Sequence, residues 1–276
     1  MLISAAVAIA EKQIGKRGDK YYARRSTVVL ERSLIAFKSS TWFAVLSGFL
    51  EPVLYLFSFG YGVGKLIGEV TLSTGLTVNY AMFIAPGLLA TSAMNGAIYD
   101  STWNVYFKLN ESKTYQGMLA TSLGPLDVAL GEILSALLRG FVYSLGFMSI
   151  AAPMGLIPSW WGLLAIPAAV LIAFGFASVG MAITSYFKSY QQMGLINITL
   201  LPIFLFSGSF YPLTVFPDWA QLIIKLLPLW HAIELVRNLT LGIVGLHLVG
   251  HICYFLAMVI SGLYFTTKRL NALFMR

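Results

Sequence analysis

The chain has 276 residues, 58% of them apolar and only 11% charged, with a net charge of +7. A soluble domain carries roughly 25% charged residues, so an ordinary water-facing globule is excluded. The apolar residues come in runs of about 20, which fits a bilayer core of about 30 Å. The runs lack the alternation of a β-barrel, and the basic excess sits at the termini and in short loops, which argues against nucleic acid as a partner. A single cysteine, Cys253, rules out an intrachain disulfide.

Met1–Ala10 is apolar but has no basic region before it, and Glu11-Lys12-Gln13 follows where a cleavage site would stand. It is expected to be a mature N-terminus rather than a signal peptide. Residues 1–40 form a basic segment expected in the cytoplasm. Within it Leu30, Leu34 and Phe37 share one helical stripe. Arg24, Arg25, Glu31, Arg32 and Lys38 share the opposite one. This pattern predicts an amphipathic interfacial helix, its basic side toward lipid phosphates.

Six spans are expected, at 41–64, 80–104, 126–151, 160–187, 192–213 and 246–267, so that 41–267 is an all-α transmembrane domain and 268–276 a cytoplasmic tail. Pro52, Pro86, Pro153 and Pro167 interrupt or edge the spans, which membrane helices tolerate. With both ends inside, fourteen Lys/Arg face the cytoplasm, including Lys108, Lys113 and Lys188, against three outside (Lys65, Lys225, Arg237). That bias predicts two cytoplasmic termini.

The inner loop after span 2 reads as a short helix at 112–122, capped by Ser112 and carrying Tyr115, Met118 and Leu119 on one face. Gly124 and Pro125 end it and restart a helix. Its apolar face needs cover, from a soluble cytoplasmic domain or from the chain's own inner surface. After span 5, Pro212, Pro217 and Pro228, with Trp219 among them, break an aromatic stretch into pieces too short to cross. Short helices dipping into the outer leaflet answer this, and such a hairpin would form an outer gate. Ionisable groups inside spans are costly. Glu51 precedes Pro52 in span 1, Asp100 lies toward the inner end of span 2, and Glu132 and Arg139 share one face of span 3. Pairing within span 3 or with Asp100 would satisfy them. His247 and His251 have metal-chelating spacing, although interfacial hydrogen bonding explains them as well. Gly60 and Gly64 have a helix-approach spacing. Tyr61-Gly-Val-Gly-Lys65 lacks the glycine and Ser/Thr of a phosphate loop, and no catalytic grouping is legible.

Several stretches resemble the ABC-2 transporter permeases, in the branch of NodJ-type nodulation-factor exporters and daunorubicin-type drug exporters. They are Leu50-Glu-Pro-Val-Leu-Tyr-Leu-Phe-Ser-Phe-Gly-Tyr-Gly-Val-Gly64, Tyr80-Ala-Met-Phe-Ile-Ala-Pro-Gly-Leu-Leu89, Tyr115 through Glu132, Leu205-Phe-Ser-Gly-Ser-Phe-Tyr-Pro-Leu213, Phe216-Pro-Asp-Trp219 and Leu227-Pro-Leu-Trp-His-Ala-Ile-Glu-Leu-Val-Arg237. The resemblance covers about residues 22–270 and departs near Ser122, where the family usually has a proline.

The resemblance implies a permease subunit of an ABC exporter in the inner membrane. Two permeases, identical or paralogous, would pair with two ATPase domains that bind ATP and Mg, and this chain would hold no cofactor. Ser112, Lys113, Thr114, Tyr115, Gln116, Met118 and Leu119 then belong to the ATPase-coupling helix. Glu51, Tyr99, Trp103, Phe210 and Tyr211 are candidates for the path of an amphiphilic substrate, drug-like or lipid-linked saccharide. An ion-coupled secondary transporter and an intramembrane lipid-modifying enzyme are the rival expectations.

Overall fold

The computed structural model describes residues 25–39, 42–72 and 75–274, without the side chains of 36–49. Met1–Ala10, Arg24 and the side chains of Phe37 and Lys38 therefore lie outside the described residues. The elements in chain order are α1 (Ser26–Ser39), α2 (Trp42–Phe57), a hairpin of β1 (Glu69–Thr71) and β2 (Thr77–Asn79), α3 (Tyr80–Glu111), α4 (Thr114–Leu119), α5 (Pro125–Ala151), α6 (Trp160–Thr184), α7 (Tyr190–Phe206), α8 (Asp218–Ile224), α9 (Pro228–Leu241) and α10 (His247–Phe274). A π-helical segment, Ser58–Val63, and one last turn, Gly64–Ile67, prolong α2.

Among the described residues, α3, α5, α6 and α10 are each long and apolar enough to cross a membrane. The pair α8–α9, bent by 86°, would together make a fifth crossing. The expected fifth span is shorter than its sequence suggested. It stops at Phe206 because Gly208 takes a left-handed turn, φ 79°, that reverses the chain. The expected second span is longer. It runs to Glu111 because its last turns are anchored by buried Leu109.

The fold is not purely helical. β1 and β2 pair antiparallel, with Val70 opposite Val78, both buried. Val70, Thr71, Thr77 and Val78 are β-branched, which suits a pleated strand, and Gly75 supplies the positive φ of the turn. The hairpin was not expected because the apolar-run reading does not register strands of three residues.

Small residues set how closely the long helices approach. A Cβ on Gly96 of α3 would stand 2.8 Å from the Gly140 Cα of α5 and 2.9 Å from the Tyr143 ring. A Cβ on Gly140 would stand 2.8 Å from Ala173 of α6. Gly262 of α10 meets Ser178 of α6 in the same way. In lipid, where helix association has no hydrophobic drive, such close backbone packing supplies the dispersion energy that holds the bundle. Gly60 and Gly64 pack against Ala81 and Tyr80 of α3, so their spacing serves contact inside the chain.

Helix α1 lies along α5. Its buried residues are Val29 and Ser33, whereas Leu34 is 40% and Ile35 73% exposed. The stripe read from Leu30 and Leu34 is therefore not the face that packs on protein. Val29 fits over Gly131, where any Cβ would collide with it. Leu34 and Ile35 are left for lipid, and Arg25 and Arg32 are exposed.

Replacing Gly96 by valine should separate α3 from α5 and cost about 1–3 kcal/mol, read as a lowered unfolding midpoint in detergent. Gly194→Ala, whose Cβ meets nothing within 4 Å, should leave the midpoint unchanged or raise it.

Candidate functional site

The bundle holds a cavity of about 450 Å³ between α2, α3, α5 and α7. Glu51, Tyr99 and Trp103, the expected path residues, line it together with Tyr55, Arg139 and Phe204. Phe210 is buried beside it, with its ring 4.8 Å from Phe59 and 5.2 Å from Phe204, and its carbonyl accepts from the Tyr80 hydroxyl at 3.2 Å. Tyr211 is half exposed and does not line the cavity. Trp103 sits in a π-helical stretch of α3, Asp100–Asn104. π-Turns recur at functional sites because the extra residue re-aims side chains. The Trp103 ring meets Tyr190 edge-on at 5.5 Å.

Two ion pairs join α3 to α5, the first of them at the cavity wall. Arg139 Nε lies 2.9 Å from Asp100 Oδ2, and Lys108 Nζ donates to Glu132 Oε2 at 2.6 Å. The acid and base positions run in opposite order on the two helices, as antiparallel neighbours require. Asn104 also donates to Asp100, and Arg139 lies 5.1 Å over the Tyr99 ring. Pairing of Arg139 with Asp100 was one of the expected solutions. Lys108 was placed in a loop from sequence and its role was missed. The charge balance held the signal: Asp100 and Glu132 are two intramembrane acids, Arg139 is only one base, and the nearest free base is Lys108.

The short helix after α3 differs from its expected form. Ser112 does not cap it. Because α3 continues to Glu111, Ser112 closes that helix, its hydroxyl donating to the Phe107 carbonyl. Lys113 then takes a left-handed turn, φ 49°, and α4 begins at Thr114. Tyr115 is fully buried, and Met118 and Leu119 are nearly so. Their apolar face is thus covered by the chain itself. Burial pushes the Tyr115 phenol well above its usual range, with the neighbouring Glu132 carboxylate adding to the effect, so it stays protonated. What α4 and its flanks leave exposed is Lys113, Gln116, Gly117, Ala120, Thr121 and Ser122.

This segment is fastened at a second point. The Asp127 carboxylate, fully buried, accepts from the backbone N–H of Arg25 through Oδ1 and of Gly124 through Oδ2, each at 3.0 Å. It caps α5 and fixes the start of α1 in one stroke. Arg25 also donates to Ser122.

At the other end of the bundle, the expected gate prolines begin successive helical pieces. Pro212 precedes a 3₁₀ turn, Pro217 precedes α8, and Pro228 opens α9. Trp219 is 68% exposed. The fixing residue here is Arg237, which the charge count had treated as a surface cation. It is buried, pairs with Glu234 at 2.7 Å, donates to the Gly208 carbonyl at 2.8 Å and lies 4.2 Å over the Phe83 ring. Its i,i+3 spacing from Glu234 was the legible sign. His251 meets His231 of α9, Nδ1 to Nδ1 at 2.8 Å, rather than His247. Among the described residues no group of three or more potential ligands could hold a metal ion.

Lys108→Met should strand the Glu132 carboxylate and cost about 3–5 kcal/mol, whereas the double variant Lys108→Met with Glu132→Leu should recover most of it. A double-mutant cycle on unfolding midpoints measures both.

The sequence matches the ABC-2 type transporter family over residues 25–241. It is 33% identical to Nodulation protein J of Rhizobium leguminosarum bv. trifolii over 227 residues, 82% of this chain and 83% of that protein. It is 33% identical to Nodulation protein J of Sinorhizobium fredii (strain NBRC 101917 / NGR234) over 241 residues, 83% of this chain and 87% of that one. Inner membrane transport permease YadH of Escherichia coli (strain K12) is 26% identical over 204 residues, 72% of this chain and 76% of the relative. A match of this extent, on a bundle of apolar helices, means that the chain belongs to the ABC-2 type transporter family and is a multi-pass membrane permease.

Proposed function

We propose that this permease is the membrane-spanning half of an ABC exporter. A separate ATP-binding subunit drives it, and an amphiphilic substrate, drug-like or lipid-linked saccharide, leaves outward through the cavity between α2, α3, α5 and α7. The chain crosses the inner membrane six times with both ends in the cytoplasm, α2 with its continuation being the first crossing and α7 the fifth. The basic bias of the loops supports the orientation, and similarity to an E. coli inner membrane transport permease supports the inner membrane. A second permease, identical or paralogous, covers the apolar side of α7, where Leu195, Ile198 and Leu201 are exposed. The pair α8–α9 is the re-entrant outer gate, with Pro212, Pro217, Trp219 and Pro228 at its turns.

The observation that carries this reading is the two-sided character of the segment 113–122. Its outer edge is polar, small and exposed, a surface for a soluble domain to seat on. Its underside, Tyr115, Met118 and Leu119, is locked into the core beside Glu132. A push on the edge therefore moves α5 and, through the ion pairs, the cavity wall on α3. Coupling requires that ATP interact differently with two states of the ATPase, and a rigid connection transmits that difference. Coupling is thereby assigned to Lys113, Gln116, Gly117 and Ser122, while Tyr115, Met118 and Leu119 anchor the segment.

The test reconstitutes the permease with its ABC ATPase in liposomes and follows ATP-dependent efflux of a fluorescent amphiphile. Gly117→Trp should lower transport about tenfold or more, equivalent to about 1.4 kcal/mol of lost docking, without moving the unfolding midpoint. Transport by the chain alone on an ion gradient would establish the secondary carrier instead. A covalently changed lipid would establish the enzyme.

A further inference from the structure

One acidic group at the cavity has no counter-charge among the described residues. Arg139 is matched by Asp100, and Lys108 by Glu132, so both ion pairs are electrically closed. Glu51 is different. It lines the cavity, is exposed, and makes no ion pair with any described residue. Tyr55, one turn later on the same helix, lines the same cavity. An ionisable side chain at membrane depth is costly unless something compensates it, and a fixed negative charge in a low-dielectric cleft attracts a cation far more strongly than in water.

The surrounding walls agree with that sign. Tyr55, Trp103 and Phe204 present aromatic rings to the same space, and ring faces favour cations. Arg139, the cation among the described lining residues, already rests over Tyr99 and against Asp100, so its positive field is largely spent on those partners. The exposed carboxylate and the rings lie on α2, α3 and α7, three separate walls, and they converge on a volume suited to a small amphiphile's head group.

The geometry points to Glu51 as the charge-selecting residue of the cavity, which takes amphiphiles bearing an organic cation in preference to neutral or anionic ones of similar size. This rests on reading the cavity as the substrate path, and it narrows that reading to a substrate class. Glu51 touches the head group directly, with Trp103 and Tyr55 as ring contacts.

The test uses the full chain alone in nanodiscs, so it does not depend on any ATPase. Equilibrium binding is measured for tetraphenylphosphonium, its anionic isostere tetraphenylborate and neutral triphenylphosphine oxide, each corrected against protein-free nanodiscs. The cation should bind about tenfold tighter than the other two, the size of a single charge-assisted contact. Glu51→Gln should abolish that preference while leaving the neutral probe unchanged, and Glu51→Asp should retain part of it. The proposal is overturned if the wild-type chain shows no cation preference or binds none of the three. It is equally overturned if Glu51→Gln keeps the preference, or if it weakens all three probes alike, which would mark Glu51 as structural. A cation preference that depends on Glu51, in a chain whose ATP-driven transport fails, would retain this inference and remove the exporter reading.

Discussion

A charge at membrane depth is costly without a counter-charge, and pairing such charges organises this bundle at every described ion pair. Asp100 with Arg139 and Lys108 with Glu132 are two rungs between α3 and α5. Each rung fixes the register of the two helices, because sliding either by one turn would separate both pairs in a medium that cannot solvate them. At the opposite end Arg237, neutralised by Glu234 on its own helix, ties α9 to the turn after α7 and to the Phe83 ring. Removing one member of such a pair costs more than the pair itself contributes, since the partner is left uncompensated.

The ion pairs are effective only because the backbones come close, and small residues make that approach possible. Gly96 against Gly140, Gly140 against Ala173, and Gly262 against Ser178 let α3, α5, α6 and α10 touch along their backbones. The stiff unit extends past the membrane helices. Val29 sits over Gly131, and Asp127 holds the backbone of both Arg25 and Gly124. Helix α1, the segment 113–122 and the start of α5 therefore share hydrogen bonds and packing. In the proposed mechanism this is why a small helix facing a soluble subunit moves a cavity wall two turns deeper. The cavity itself has one side, α7, that is scarcely packed within the chain: only Met193 of that helix is buried.

Much of this was legible in the residues. The apolar runs announced a helical membrane protein, and the charge deficit excluded a soluble one. Glu51, Tyr99 and Trp103, singled out one by one, do meet on a single cavity. Asp100 and Arg139 pair as one of the expected solutions. Other features were not legible. Lys108 looked like a loop cation because helix length was judged from apolarity, whereas its partner Glu132 is supplied by the antiparallel neighbour. Tyr115, Met118 and Leu119 looked like an uncovered face because periodicity reports which residues share a side and not what lies opposite. Arg237 looked like a surface charge because its partners, Gly208 and Phe83, are remote in sequence.

The sequence by itself determined the class of protein, the approximate places of the long helices and the identities of the costly intramembrane charges, since these depend on local composition and on transfer energies that act residue by residue. The tertiary structure alone decided which charge meets which, which face of α4 is covered, where α3 and α7 end, and that Glu51 is left without a counter-cation among the described residues. Those outcomes follow from contacts between helices distant along the chain. In a bilayer such contacts are selected by close packing and by the penalty on unpaired polar groups, and neither is written into any one helix.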